Sequence, residues 1–180
     1  MNKNMNKTTK NLVLASLFLT IVIVIQLIGR FNPEISRIVV GPIVNAILLL
    51  TVYFCGKRFG LIMSFLTPLL ALFIGQLNPL LAPFIPFIML GNLVLVIPFI
   101  LLHSSLLKRI VGIIIGSGLK YLVMNIAAIN AVSLFGLNIP ANVAKMLPVA
   151  FGTIQLVTAL AGGALALVLI ETLKDFWNHS

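Results

Sequence analysis

The sequence predicts an all-α integral membrane protein of one domain, a bundle of six transmembrane helices with both termini cytoplasmic. Three observations carry this reading. Of the 180 residues, 61% are hydrophobic and only 8% charged, with a mean hydropathy of +1.20; too little polar surface is left to cover a soluble domain. Apolar segments recur at about 11–31, 38–55, 59–76, 83–103, 110–134 and 147–171, each close to the roughly 20 residues that cross a bilayer as a helix. Finally, the basic residues are placed unevenly. With the N-terminus inside, Lys3, Lys7, Lys10, Lys57, Arg58, Lys108, Arg109 and Lys174 fall on the cytoplasmic side, against Arg30, Arg37 and Lys145 outside, the bias that sets topology. The net charge of +9 is thus explained by orientation, without a nucleic-acid surface.

The first segment has the basic flank of a secretory signal. It is too long for a signal core and has no small-x-small site before Arg30, so it is expected to remain as a helix. Its Ser16 and Thr20 lie four residues apart beside Ala15, the small-xxx-small spacing that admits a neighbouring helix in lipid. That neighbour is either another helix of this chain or a partner protein. The lone Cys55 excludes an internal disulfide and reads as a small apolar side chain.

The stretch 75–92, Gly-Gln-Leu-Asn-Pro-Leu-Leu-Ala-Pro-Phe-Ile-Pro-Phe-Ile-Met-Leu-Gly-Asn, stands out for three prolines and no charge. Proline removes a backbone donor and restrains its predecessor, so the stretch is expected to be ordered without regular hydrogen bonding. Gln76 to Pro83 reads either as an outer loop that serves as a lid, with Gln76 and Asn78 facing a ligand, or as a tight turn with Pro83 and Pro86 starting helix 4, while Asn92 sits deeper on that helix. Pro68 predicts a kink in helix 3. His103 reads as an interfacial residue, because no carboxylate or second ligand is near it in sequence.

Depth organises the polar residues. Asn92, Asn125 and Gln155 each lie eight or nine residues below the outer ends of helices 4, 5 and 6, about 12–14 Å at 1.5 Å per residue. Gln26 and Asn45 are also in the outer half. An amide in hydrocarbon needs a partner, so these groups are either interhelical glue or the wall of a polar site. On helix 5, taking Lys120 as zero, Ser117 falls at about 60°, Tyr121 at about 100° and Asn125 at about 140°, one shared face. Gly112 and Gly116 form a small pair on that helix, and Gly152, Ala159, Gly162 and Ala166 form a small stripe with Gln155 on helix 6, a face for packing or for a cavity.

Lys120 is the sharpest single residue. An ionisable group near mid-membrane marks a functional site by default, yet no Asp or Glu lies in the middle of a span. If the group is charged, its counter-ion is a ligand anion such as a carboxylate; if it is not, burial holds it neutral. In a third reading the side chain snorkels to the cytoplasm. The substrate-binding candidates are therefore Asn45, Gln76, Asn78, Asn92, Lys120, Tyr121, Asn125 and Gln155.

Coupled carriers use intramembrane carboxylates, and none is present. Nor is there a phosphate-binding Gly-rich loop, a Cys/His metal cluster, or a nucleophile with a base. A protein so equipped binds a solute but needs a partner to energise transport.

Taken together, the chain resembles the S component, the integral-membrane substrate-binding subunit, of an energy-coupling factor (ECF) transporter. The resemblance covers nearly the whole length and includes the runs at 41–46 (Gly-Pro-Ile-Val-Asn-Ala) and 82–92 (Ala-Pro-Phe-Ile-Pro-Phe-Ile-Met-Leu-Gly-Asn). It implies capture of a vitamin or similar micronutrient in the outer half, no enzymatic activity or cofactor, and a cell-membrane location. It also implies delivery by toppling on a transmembrane coupling subunit driven by two cytoplasmic ATPases. The family's helix 1 contacts the coupling subunit through Ala-x-x-x-Ala. Here Ala15 is followed by Leu19, and Ser16 and Thr20 offer a shifted substitute. Two other classes stay open on the residues alone: a six-helix structural subunit of a cell-envelope complex, and an uncoupled facilitator or membrane enzyme.

Overall fold

The computed structural model describes the backbone of residues 3–32, 36–130 and 148–178. Six long helices follow one another: α1 (Lys3–Phe31), α2 (Gly41–Cys55), α3 (Lys57–Ile74), α4 (Ile85–Leu101), α5 (Leu106–Ile129) and α6 (Ile154–Asn178). Short segments lead into three of them, a π-helical turn at Ser36–Val40, a 3-10 helix at Pro79–Phe84 and a second π-helical turn at Val149–Thr153. Six apolar spans of 18 to 25 residues result, long enough to cross a membrane, and no strand occurs among the described residues. Glu34 and the outer loop expected at 136–145, with Lys145, lie outside the described residues.

Helix ends follow local chemistry. Gly75, at φ 80°, terminates α3 in the left-handed conformation that other residues rarely adopt. The amides of Gln76 and Leu77 then both bond the Ala71 carbonyl at 2.9 Å. Pro79 and Pro83 sit inside the 3-10 helix that follows, which the Leu81 amide bonds to the Asn78 carbonyl at 2.8 Å, and Pro86 lies in the first turn of α4. The expectation that 75–92 lacks regular hydrogen bonding is thereby corrected. Proline fixes φ at a helical value and its missing donor costs nothing in a first turn, so the segment is helical from Pro79 onward, while 75–78 form a turn. At the other end of the bundle Ser105 caps α5, its hydroxyl accepting from the Lys108 amide at 3.3 Å.

Small residues set the helix approaches. A Cβ on Gly116 would stand 2.5 Å from the Leu95 carbonyl, and one on Gly112 would stand 3.0 Å from the Pro98 carbonyl, so α5 lies directly on α4. On α6, a Cβ at Gly162 would meet the Pro42 carbonyl at 2.5 Å, and Ala159 and Ala166 are fully buried. Of the small stripe read from the sequence, Gly162 seats α6 on α2, whereas Gly152 lies before α6 and meets Asn125 of α5. In lipid, where apolar burial gives no advantage, such close backbone approach is what holds helices together.

The packed side chains form two clusters. The larger includes Ala46 to Leu50 of α2, Leu95 and Phe99 of α4, Ile113 of α5, and Ala159 and Ile170 of α6. The smaller holds Phe84, Met124, Ala127, Ala128 and Phe151. Between them along the chain fall Asn92 on α4, Lys120 on α5 and Gln155 on α6. A polar layer therefore separates two apolar ones.

The two ends of the bundle differ. One carries the start of α1, where Asn11 donates to the Cys55 carbonyl at 3.0 Å, and a charge cluster. There Arg109 pairs with Glu171 at 2.8 Å, Lys174 also pairs with Glu171, and the Arg109 guanidinium lies 5.2 Å from the Tyr53 ring centre. At the opposite end, Arg30 closes α1 against α3 by donating to the Ile74 carbonyl at 2.9 Å.

Helix α1 is the most exposed of the six. It buries a narrow stripe, Ala15, Val22 and Gln26, and leaves Leu12, Val13, Leu17, Ile21, Val24 and Ile28 uncovered. Of the residues read as a partner contact, Ser16 and Thr20 face outward, with the Thr20 hydroxyl donating to the Ser16 carbonyl at 2.9 Å. Ala15 is buried and Leu19 packs against the main cluster. One 100° step along the helix separates the two pairs. Among these four, only Ser16 and Thr20 are available to a partner helix.

Candidate functional site

A cavity of about 550 Å³ lies at the Arg30 end of the bundle. Its floor is built from polar residues of five helices. Lys120, buried on α5, donates from Nζ to Asn45 Oδ1 of α2 at 2.7 Å and to Asn92 Oδ1 of α4 at 2.9 Å. The Asn92 amide nitrogen donates in turn to α3, to Thr67 Oγ1 at 3.2 Å and the Ser64 carbonyl at 3.3 Å. Gln26 of α1 donates from Nε2 to the Thr67 carbonyl at 3.0 Å. Lysine can only donate and a carbonyl can only accept, so the orientation of each amide is forced.

Pro68 explains why Ser64 takes part. A proline within a helix has no N–H to offer the carbonyl four residues back. Ser64 is that residue, and Asn92 reaches its carbonyl. Pro68 thus leaves an acceptor for a neighbouring helix. Two hydrogen bonds from a charged donor contribute about 1.5–3 kcal/mol each, comparable with the roughly 3 kcal/mol that a lysine costs at the centre of a spanning helix. The side chain is held within the bundle by Asn45 and Asn92 and does not snorkel.

Of the residues read from the sequence, Asn45, Gln76, Asn78, Asn92, Lys120 and Gln155 line the cavity. Asn45, Asn92 and Lys120 are joined directly. Gln76 and Asn78 stand at the rim, where the end of α3 meets the 3-10 helix, and half-buried Gln155 forms part of the α6 wall. Tyr121 and Asn125 are not among the lining residues. Asn125 is turned toward the π-helical turn before α6 instead: its Oδ1 would stand 2.7 Å from a Cβ on Gly152. The buried face of α5 is Gly116, Ser117, Lys120, Met124, Ala127 and Ala128. Asn125, about 140° round from Lys120, shares its depth with Asn92 but not its direction.

The sequence reading also passed over several lining residues. Thr67, Arg30, Thr158, Ile88 and Phe151 all face the cavity. Hydroxyls in spanning helices usually bond their own backbone, as Thr158 does with the Gln155 carbonyl at 3.2 Å, so they give little signal. Pro68 was the available pointer to Ser64 and Thr67. The apolar wall includes Phe151, stacked on Phe84 with ring centres 4.8 Å apart and planes at 18°. No group of three or more His, Cys, Asp or Glu side chains placed to hold a metal occurs among the described residues.

Six spanning helices around a cavity with a polar floor define a polytopic membrane protein of the kind built to enclose a small solute. The sequence model of the ECF transporter substrate-specific component matches residues 10–173, so the chain belongs to that family and is the substrate-specific subunit of an ECF-type transporter. Neither the curated proteins nor the solved structures searched gave a match.

Proposed function

We propose that this subunit captures a vitamin or related micronutrient from the outer side of the cell membrane in the Lys120 cavity. It then delivers the micronutrient by toppling on a transmembrane coupling subunit driven by two cytoplasmic ATPases. The observation that carries the reading is the floor itself, where five helices converge on a buried ammonium beneath a cavity of about 550 Å³, within the 300–1,000 Å³ usual for small-molecule sites. A helix bundle held only by polar glue needs no such space above its glue.

The basic residues support the orientation. Lys10, Lys57, Arg58, Lys108, Arg109 and Lys174 gather at the end opposite the cavity, where cytoplasmic residues belong, and the cavity then faces outward. The lightly covered outer face of α1, with Ser16 and Thr20 on it, supports docking of a coupling subunit there. The family implies no enzymatic role, and the proposed part of this chain is binding and delivery.

Reconstitution tests the proposal. Vesicles carrying this chain with a coupling subunit and its two ATPases are expected to accumulate the retained micronutrient only when ATP is supplied on the ATPase side, and the chain alone is expected to bind without accumulation. Failure to associate with the coupling module, together with absence of any retained small molecule, would contradict it.

A further inference from the structure

We infer that the cavity takes a monocarboxylate with an apolar body, its carboxylate seated against Lys120; the inference rests on the cavity being the substrate site, as proposed above. Charge balance carries it. Lys120 at the floor and Arg30 at the rim line the cavity, and no carboxylate does among the described residues. Lys120 is 3% exposed. Its ammonium has three N–H groups; Asn45 and Asn92 accept two, and the third has no protein partner among the described residues.

The amide oxygens replace water lost by the ammonium but bring no net charge. Among the described residues lining the cavity, no carboxylate balances the ammonium's charge. Glu171 is engaged by Arg109 and Lys174 at the far end of the bundle. No carboxylate among the described residues supplies the counter-charge at the cavity floor, and a ligand carboxylate does.

One buried charge matches a monoanion. A phosphate monoester carries about −1.5 to −2 at neutral pH and is usually held by several Arg or backbone N–H donors. Arg30, the second cation, is exposed and already donates to the Ile74 carbonyl. The rest of the ligand faces an apolar wall of Val44, Leu81, Ile88, Phe151 and Ile154. Phe151, fixed by its stack on Phe84, offers that body a flat surface.

The test starts from the wild-type protein in detergent, incubated with a bacterial metabolite extract, washed, and its retained compound identified by mass spectrometry. The compound, its primary amide and its phosphate-bearing analogue are then titrated by calorimetry. A retained carboxylic acid that binds roughly 30-fold or more tighter than its amide supports the inference, on the scale of removing one partner of a buried charged contact. Lys120→Met should erase that difference. If this variant does not fold, the wild-type acid-to-amide ratio decides alone. A retained neutral, cationic or phosphorylated compound, or acid and amide binding alike, overturns the inference and leaves the proposed function standing. Retention of nothing overturns both.

Discussion

Asn92 works in two directions at once, accepting from Lys120 through Oδ1 and donating to Ser64 and Thr67 through Nδ2. Asn92→Leu leaves the ammonium with a single acceptor inside the bundle, and breaking a buried charged contact from one side typically costs about 3–5 kcal/mol. Adding Lys120→Met removes the stranded charge. The double variant is therefore expected to melt above Asn92→Leu alone in detergent, and a double variant that melts below wild type by the sum of the two single effects would show that the contact is not coupled. Asn45, Asn92 and Lys120 were legible in the sequence because amides and amines are expensive in hydrocarbon and so announce themselves. Ser64 and Thr67 were not, since a hydroxyl satisfied by its own helix costs little there. Asn125, which does not line the cavity, shows a different limit: residue counting gives depth well, but direction requires knowing where the buried face of α5 is centred.

Among the elements, α5 shows how glycine placement decides packing. Gly116 lies where a Cβ would strike the Leu95 carbonyl at 2.5 Å, whereas a Cβ on Gly118 would meet nothing within 4 Å. Gly116→Val is expected to force α4 and α5 apart, an overpacking cost of about 1–3 kcal/mol or more, seen as a lowered melting temperature. Gly118→Ala should be neutral or stabilising by up to about 1 kcal/mol through reduced backbone freedom. Equal effects at both positions would contradict this packing. The six spans were readable from hydropathy because a bilayer demands about 20 apolar residues per crossing. The π-helical turns at Ser36–Val40 and Val149–Thr153 were not readable, because tertiary contacts decide between windings of nearly equal energy. Pro83 and Pro86 were readable as starters of helix 4, but the 3-10 turn that begins at Pro79 was not, because Gln76 to Pro83 reads as a loop.

For the whole molecule, the clustering of basic side chains at the end opposite the cavity predicts how the bundle sits in the membrane. With Cys55 replaced by Ala, a cysteine at Asn78 should react with an impermeant thiol reagent added outside intact cells, and one at Ser105 only after the membrane is opened; the reverse pattern would invert the topology. The six-span architecture and family membership were within reach of composition, spacing and the resemblance together. The assembly of the cavity floor from five helices was not, since it depends on contacts such as Lys120 to Asn45, separated by 75 residues. That the substrate is captured in this cavity is most directly tested by binding stoichiometry in wild type and Ile88→Trp. Ile88 is half-buried on the cavity wall, so the larger ring fills space meant for the ligand. One molecule of the retained compound per wild-type chain, and no measurable binding to an Ile88→Trp variant with unchanged helical content, is the expected result. Undiminished binding to that variant would place the substrate elsewhere.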